Sequence, residues 1–370
     1  RRQFRFVIKV HDRAGLPQIA NRASAGIGGQ QDGVLAKIAI DEPAGPQTYY
    51  PSCLCYCREC SLVQLDYVIP THAAFGDQYT YLTGSSPSLI NYYSELAGRL
   101  VEQLGLQPGD TVVEIGSNDG TFLKEFQALG LNVLGIEGAR VSSDIAHSAG
   151  VPVIQSFFGR GIAKEVSARL PQGSKIKLVL AMNVLAHTDN INEFLEEVTK
   201  LMDPETVFVS QSHWLIALIR EFEFDTIYHE HLRYYTTHSL MKVKERHGLY
   251  VFDAEVTDFY GGSILVYSKM QPQPPSPRLT DILEQEDQVD VPESLVGMKN
   301  TLIKNKSRLL ALLIDLKMSG KKVVGVGAPM KASTLLNFYG ITPDLLEYVA
   351  EVNELKVGTV MPGVRIPVIH

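Results

Sequence analysis

Apolar residues recur along the chain with two periods, and the switch between them sets out the elements. In "SLINYYSELAGRLVEQLGL" (88–106) they fall at helical spacing, with Gly105 placed to cap the helix and Pro108 beyond it. Downstream, short apolar runs alternate with amphipathic ones. The runs "DTVVEIGS", "NVLGIEG", "KIKLVLAMNV" and "ETVFVSQS" read as strands, and "TFLKEFQALG", "VSSDIAHSAG" and "NINEFLEEVTKLM" as helices. Such alternation predicts a doubly wound, mostly parallel α/β sheet. A further helix, "HSLMKVKERHGL", precedes two β-rich runs, "YVFDAEVTDF" and "SILVYSK", separated by Gly261-Gly262.

The flanks read differently. Residues 1–75 hold "FRFVIKVHD", the Gly-rich "SAGIGGQQDG", "VLAKIAI" and four clustered cysteines, a set of short strands with a thin core that a metal staple would help. The stretch "QPQPPSPRL" (271–279) is rich in proline and is expected to be a linker. After it, "SLVGMKNTLIKNKSRLLALLIDLKMSG" is a long amphipathic helix, and "KKVVGVGAPMKASTLLNFYGI" a second strand–Gly turn–helix unit. The expected organisation is a small N-terminal domain (1–75), a central domain (76–270), a linker and long helix (271–315) and a C-terminal Rossmann-like domain (316–370). The last ends at "GVRIPVIH" and is expected to be truncated, and the opening "RRQFRF" carries no Met, so the natural start is expected upstream.

Composition narrows the function classes. A hydrophobic content of 45% with 20% charged residues describes a well-cored globular chain of 370 residues. A net charge of −7 argues against non-specific nucleic-acid binding. No apolar run has the length of a membrane span and no signal-peptide pattern opens the chain, so the expectation is a cytoplasmic protein. The four cysteines lie between positions 53 and 60, which speaks against a distributed disulfide framework.

Candidate chemistry concentrates in three places. In "VVEIGSNDGTFLKEF" (112–126) an apolar strand leads through Glu114 into Gly116, Ser117, Asn118 and Gly120 and then into a helix. Glycines allow a tight turn and close approach of a ligand, and the helix start offers unpaired N–H groups. The third glycine of the dinucleotide pattern is missing. The following strand ends in Glu137, an acid placed to accept from ribose hydroxyls. Asn183 and His187 fall at the carboxyl edge of another strand, where ligands of open α/β sheets bind. The second place is "DTIYHEHLRYYT" (225–236), which crowds Tyr228, His229, Glu230 and His231 together. A solvated turn with satisfied histidines would carry such residues too, but the density of acid–base groups points to proton transfer. The third is "PSCLCYCREC". Cys57-x-x-Cys60 has the spacing of a zinc knuckle, with Cys53 or Cys55 as further ligands and His11 or His72 able to complete a set. The turn "GVGAPMKAS" (325–333) lacks the third glycine, so a degenerate Rossmann-like domain is expected there.

Together these stretches resemble one family, the S-adenosylmethionine-dependent sugar C-methyltransferases of deoxysugar biosynthesis. "GLPQIANR", "CRECSLVQL", "YTYLTGSS", "VVEIGSNDGTFL", "NVLAHTDNI", "FDTIYHEHLRYYT", "YGGSILVYS", "VVGVGAPMKASTLLNFYGI" and "NELKVGTVMPGVRIPV" occur in family order. The resemblance implies a zinc-binding N-terminal domain, a central class I methyltransferase domain and a C-terminal Rossmann-like domain. It implies S-adenosylmethionine at Glu114, Gly116, Ser117, Asn118, Gly120, Glu137 and Asn183, and structural zinc at Cys57 and Cys60. Catalysis is implied for Tyr228, Glu230, His231 and His187, with Tyr79 and Tyr81 on the segment that covers the substrate. The substrate class is a nucleotide-linked ketosugar, and the protein a monomer or homodimer. The chain departs from the family at Gln211, Ser212 and His213, at Leu265, where an Arg is common, and near Ala350, where an Asp is usual.

Methylating carbon requires a carbon nucleophile, which a ketosugar supplies when the proton α to its carbonyl is removed. The block therefore reads as a base (His231), a carboxylate that orients it or binds the sugar (Glu230) and groups near the enolate oxygen (Tyr228, His187), with His229 structural. Other readings are an O- or N-methyltransferase of another small acceptor, a non-catalytic cofactor-binding protein, or an NAD-dependent oxidoreductase using the turn at Gly325–Lys331.

Overall fold

The computed structural model describes residues 8–11, 29–30, 50–69, 74, 81–171, 173–354 and 356–370. The chain divides into two compact units. One is formed by 75–214 with 235–288, the other by 1–74, 215–234 and 289–370. Expected features at 1–7, 12–28, 31–49 and 75–80, including the strand "VLAKIAI" and Tyr79, lie outside the described residues.

The first unit is built on seven strands: β1 (Thr111–Ile115), β2 (Asn132–Glu137), β3 (Val153–Gln155), β4 (Ile176–Met182), β5 (Val207–His213), β6 (Tyr250–Thr257) and β7 (Ser263–Lys269). Their order in the sheet is β3-β2-β1-β4-β5-β7-β6. The first five are mutually parallel, β7 runs antiparallel to β5, and β6 antiparallel to β7. All five residues of β1 are buried, as in a strand covered on both faces. The helices are α1 (Pro87–Leu104), α2 (Thr121–Ala128), α3 (Arg140–Ser148), α4 (Ile162–Arg169), α5 (Ile191–Lys200), α6 (Thr237–Glu245) and α7 (Pro277–Asp287).

Helix α1 buries Leu89, Tyr92, Tyr93, Leu96, Ala97 and Leu100, one stripe at i, i+3, i+4 and i+7. It ends, as expected, at Gly105 in the left-handed conformation (φ 63°), and it starts with proline in its first turn. Its stripe joins Val112, Phe122, Phe126, Leu178, Val209 and Tyr267 in one core. Each such side chain contributes ~1.5–3 kcal/mol on full burial. Strand β3 and helix α4 were not anticipated; β3 has three residues, too few to show a period. Helix α7 begins inside the proline-rich stretch expected to be a linker. Pro277 occupies its first turn, where no intrahelical N–H is needed, and the Ser276 side chain accepts from Leu279 N.

In the second unit Ile8–His11 pairs parallel with Leu54–Cys57, which pairs antiparallel with Val63–Leu65, and that strand with Arg233–Tyr234. The chain also forms helices Leu215–Arg220, Val291–Met318 and Met330–Tyr339, and a parallel sheet of Gly325–Val326, Val349–Ala350 and Val368–Ile369. The last strand lies at the expected "GVRIPVIH". No helix among the described residues is long and apolar enough to cross a membrane.

Candidate active site

At the carboxyl edge of the first unit's sheet, the turn after β1 folds as its sequence suggests. Gly116 (φ 68°) and Gly120 (φ 75°) take left-handed backbone, and so do Asn118 (φ 51°) and Asn183 (φ 57°). A Cβ on Gly116 would meet Val184 Cγ2 at 2.6 Å, and one on Gly120 would meet Val151 Cγ2 at 2.9 Å. Only glycine fits both places. Glu114 is buried, and burial, followed by Glu137 and Asp119, holds its carboxyl well above the usual range. Glu114 Oε2, Ser117 Oγ and both side-chain polar atoms of Asn183 have no hydrogen-bond partner among the described residues. Buried polar atoms of this kind are rare in native proteins unless a ligand or water meets them. The cradle and these open atoms fit a polar ligand such as S-adenosylmethionine.

Glu137 organises the same edge. Its Oε2 accepts from Asn118 N (2.8 Å) and its Oε1 from Ala139 N (2.7 Å). Burial raises its pKa while these backbone donors oppose the rise. Its carboxylate keeps acceptor capacity for further donors. His187 is partly exposed, its backbone N–H donating to Val184 O (2.9 Å).

Tyr81 lies in a segment strapped to this loop. Asn118 Nδ2 donates to Tyr81 O (3.0 Å), Thr83 N to Asn118 Oδ1 (2.9 Å) and Gly84 N to Asp119 Oδ2 (2.7 Å). The Tyr81 hydroxyl meets that of Tyr260 at 2.8 Å.

The acid–base block lies in the second unit. His229, Glu230 and His231 are all buried. His231 Nδ1 is 2.8 Å from Thr226 O, and its ring is 4.4 Å from that of Tyr228. A carbonyl only accepts, so Nδ1 carries the proton and Nε2 the lone pair. Burial, aided by the Lys331 ammonium, lowers the imidazole to about 4, so the ring is neutral at physiological pH. Burial raises Glu230 to about 8, leaving it a protonated acid that can donate. The orienting partner of His231 is therefore a backbone carbonyl. His229 is set differently: its Nε2 lies 2.7 Å from Pro51 O and its ring beside Tyr50 and Tyr67, and burial lowers it to about 4.

The four thiols carry no disulfide. Cys57 to Ser61 form a knuckle-like turn, closed by Ser61 N to Cys57 O (2.8 Å) and Cys57 N to Leu62 O (2.9 Å), with Ser61 at φ 60°. A different trio, Cys53, Cys55 and Asp66, places its ligand atoms within 4.8 Å of one another. His11 pairs in strand register with Cys57, and His72 lies outside the described residues.

Comparison with known proteins decides the class. The family model "C-methyltransferase C-terminal domain" matches residues 258–370, and "Methyltransferase domain" matches 89–254. The C-methyltransferase NovU of Streptomyces niveus is 32% identical over 332 residues, covering 89% of this chain and 78% of its own. The chain belongs to the S-adenosylmethionine-dependent C-methyltransferases. The ubiquinone biosynthesis O-methyltransferase of Bartonella tribocorum is 26% identical over 106 residues, 28% of this chain and 42% of that protein. A solved S-adenosylmethionine-dependent methyltransferase from Aquifex aeolicus has a TM-score of 0.36 and 17% identity, covering 50% of this chain and 99% of that one.

This C-methyltransferase has the mostly parallel sheet expected from the strand–helix alternation and the Rossmann-like class I fold that the family resemblance implies. Its turn at 325–333 is filled from within. Ala328 N, near the start of helix Met330–Tyr339, donates to Glu351 Oε2 (2.8 Å), and Lys356 Nζ donates to Ala328 O (2.9 Å). A carboxylate of the chain itself thus meets the N–H of Ala328 in this turn. Several residues around the sites escaped sequence reasoning. Asp119 is buried and accepts from Gly84 N and from Thr121 N and Oγ1. Phe157 is half-exposed although its ring lies over Gly138, where a Cβ would come within 2.4 Å. Thr226 acts through its backbone, which no residue type reveals. The paired aromatics "FF" after β3 were the one available signal.

Proposed function

We propose that this C-methyltransferase transfers the methyl group of S-adenosylmethionine to a carbon of a nucleotide-linked ketosugar, through an enolate generated by His231. The observation that carries the reading is the block at 228–231, in which a buried, neutral imidazole with a fixed tautomer neighbours a phenol and a buried, protonated carboxylic acid. A C-methyltransferase needs a carbon nucleophile, and an O-methyltransferase would need one base and no enolate donor.

S-adenosylmethionine supplies an electrophilic methyl on a sulfonium. In this reading Gly116 and Gly120 shape its cradle, Glu137 accepts from the ribose, Glu114, Ser117 and Asn183 offer polar atoms to it, and Asn118 holds the turn beside it. His231 Nε2 removes the proton α to the sugar carbonyl. The electron pair moves onto the carbonyl oxygen, where Tyr228 donates a hydrogen bond and His187 shares the task. Glu230 donates to a sugar oxygen, since Thr226 already orients His231. Tyr79 and Tyr81 cover the acceptor. Cys57 and Cys60 would hold a structural zinc that staples the N-terminal segment without taking part in the reaction. A cytoplasmic enzyme, monomeric or homodimeric and binding no nucleic acid, fits the composition.

The test is transfer of tritiated methyl to a panel of nucleotide-linked 4-ketosugars, with plain hydroxyl acceptors alongside. Labelled product from a ketosugar, with the label on carbon, is expected. Methylation of hydroxyl acceptors alone would remove the enolate reading.

A further inference from the structure

We propose that Tyr260 is a positioning residue for methyl transfer, its phenol holding that of Tyr81 and, through it, residues 81–86 against the loop that bears Asn118 and Asp119.

The hairpin between β6 and β7 turns at the carboxyl edge of β5, where His213 pairs in register with Ser263. Three consecutive residues there have positive φ: Tyr260 (56°), Gly261 (79°) and Gly262 (120°). The two glycines adopt this backbone without penalty, but a bulky aromatic residue there is an outlier that something must enforce. Trp214 N donates to Gly262 O (3.0 Å), Gly262 N to Phe259 O (3.1 Å) and Ser263 Oγ to Phe259 O (2.9 Å). The Phe259 ring lies against that of Tyr92, tilted by 33° with the centroids 3.9 Å apart. A residue held in unfavourable backbone by such surroundings is a common mark of a functional position.

What this conformation achieves is the 2.8 Å contact between the two phenols. From Tyr81 the bonds continue without a break: Tyr81 O accepts from Asn118 Nδ2, and Asn118 N donates to Glu137 Oε2. A path of three hydrogen bonds joins Tyr260 to the acid assigned to the ribose. Tyr81 is 43% exposed, so backbone bonds alone leave its ring loosely placed, and the second phenol fixes it.

The inference rests on the cofactor placement proposed above, and the experiment separates the two. Hydrogen exchange of the peptide spanning 81–90 and of that spanning 112–126 is followed with and without S-adenosylhomocysteine, in the wild type and in Tyr260→Phe. Protection of 112–126 by S-adenosylhomocysteine in the wild type tests the placement alone. With S-adenosylhomocysteine bound, Tyr260→Phe is expected to raise exchange of 81–86 by about 5- to 10-fold, the effect of one lost hydrogen bond. In methyl transfer its kcat should fall by about 10-fold while KM for S-adenosylmethionine stays within about two-fold, with Tyr81→Phe matching it and the double variant no worse than either single one. Exchange of 81–86 unchanged in Tyr260→Phe, or losses that multiply in the double variant, would overturn the proposal.

Discussion

The Nδ1 atom of His231 lies 2.8 Å from the carbonyl oxygen of Thr226, five residues before it. The tautomer of this imidazole is thus set by backbone, within a turn (Phe224–Thr226) whose Phe224 packs against Phe338 and Tyr339 at ring separations of 5.0 and 5.4 Å. In the proposed reaction, a base oriented in this way would not depend on a neighbouring carboxylate, which leaves Glu230 for the acceptor.

His231→Asn should lower methyl transfer by ~10²–10⁴-fold, the usual contribution of a general base. It should also abolish exchange of the ketosugar's α-hydrogen with deuterium in the presence of S-adenosylhomocysteine. Near-normal turnover in this variant would move the base elsewhere, whereas lost methylation with intact exchange would give His231 a role after deprotonation.

Glu137→Ala is expected to weaken S-adenosylmethionine binding by ~1.5–3 kcal/mol, the range for hydrogen bonds to a charged group. The same change strips Asn118 N and Ala139 N of their acceptor, so the melting temperature should fall as well. Glu137→Gln keeps one carbonyl for those donors and should recover more stability than affinity. Calorimetry showing equal affinity for all three proteins would exclude the ribose contact.

The strongest segments disclosed the central sheet and its helices, because β1 is an apolar run buried on both faces and α1 buries one stripe whose spacing is written in its residues. The glycine loop was legible for a similar reason: Gly116 and Gly120 are required by sterics at those points. What stayed hidden depends on distance or on backbone. The grouping of 215–234 with the N-terminal segment rests on Arg233 and Tyr234 pairing with Gln64 and Val63, a contact no local pattern announces. Thr226 contributes a carbonyl and Tyr260 a backbone angle, and neither is a property of residue type.

Lys244 is fully buried, with Nζ donating to Ser210 Oγ (2.9 Å) and Ser268 Oγ (3.0 Å) and lying 4.5 Å from the Phe208 ring centre. Burial lowers its pKa to about 7 from a usual 10.5. Between those values the unfolded chain binds the extra proton, so this group's contribution is fully present above the upper value and is lost as pH falls through the lower one. Wild-type stability should accordingly rise from about pH 7 towards pH 10 relative to Lys244→Met, by at most ~1.4 kcal/mol per pH unit. Parallel pH–stability curves for the two proteins would show that the ammonium stays charged in the fold.

Glu286 draws three donors from two other parts of its unit. Trp214 Nε1 and Thr237 N both reach Oε1 at 2.6 Å, and His238 N reaches Oε2 at 3.0 Å. Thr237 and His238 open helix α6, so the carboxylate meets the positive end of the helix while anchoring the indole. An amide cannot serve all three, because its NH₂ would face a donor. Glu286→Gln should therefore cost ~1–3 kcal/mol, a melting shift of roughly 2–4 °C per kcal/mol for a unit of this size. Trp214 is the only tryptophan in the chain, so its emission reports the loss directly. A shifted emission maximum together with a lower melting temperature is the expected result. Unchanged values for both would mean that the indole and the helix start are held by packing, with the carboxylate contributing no net stability.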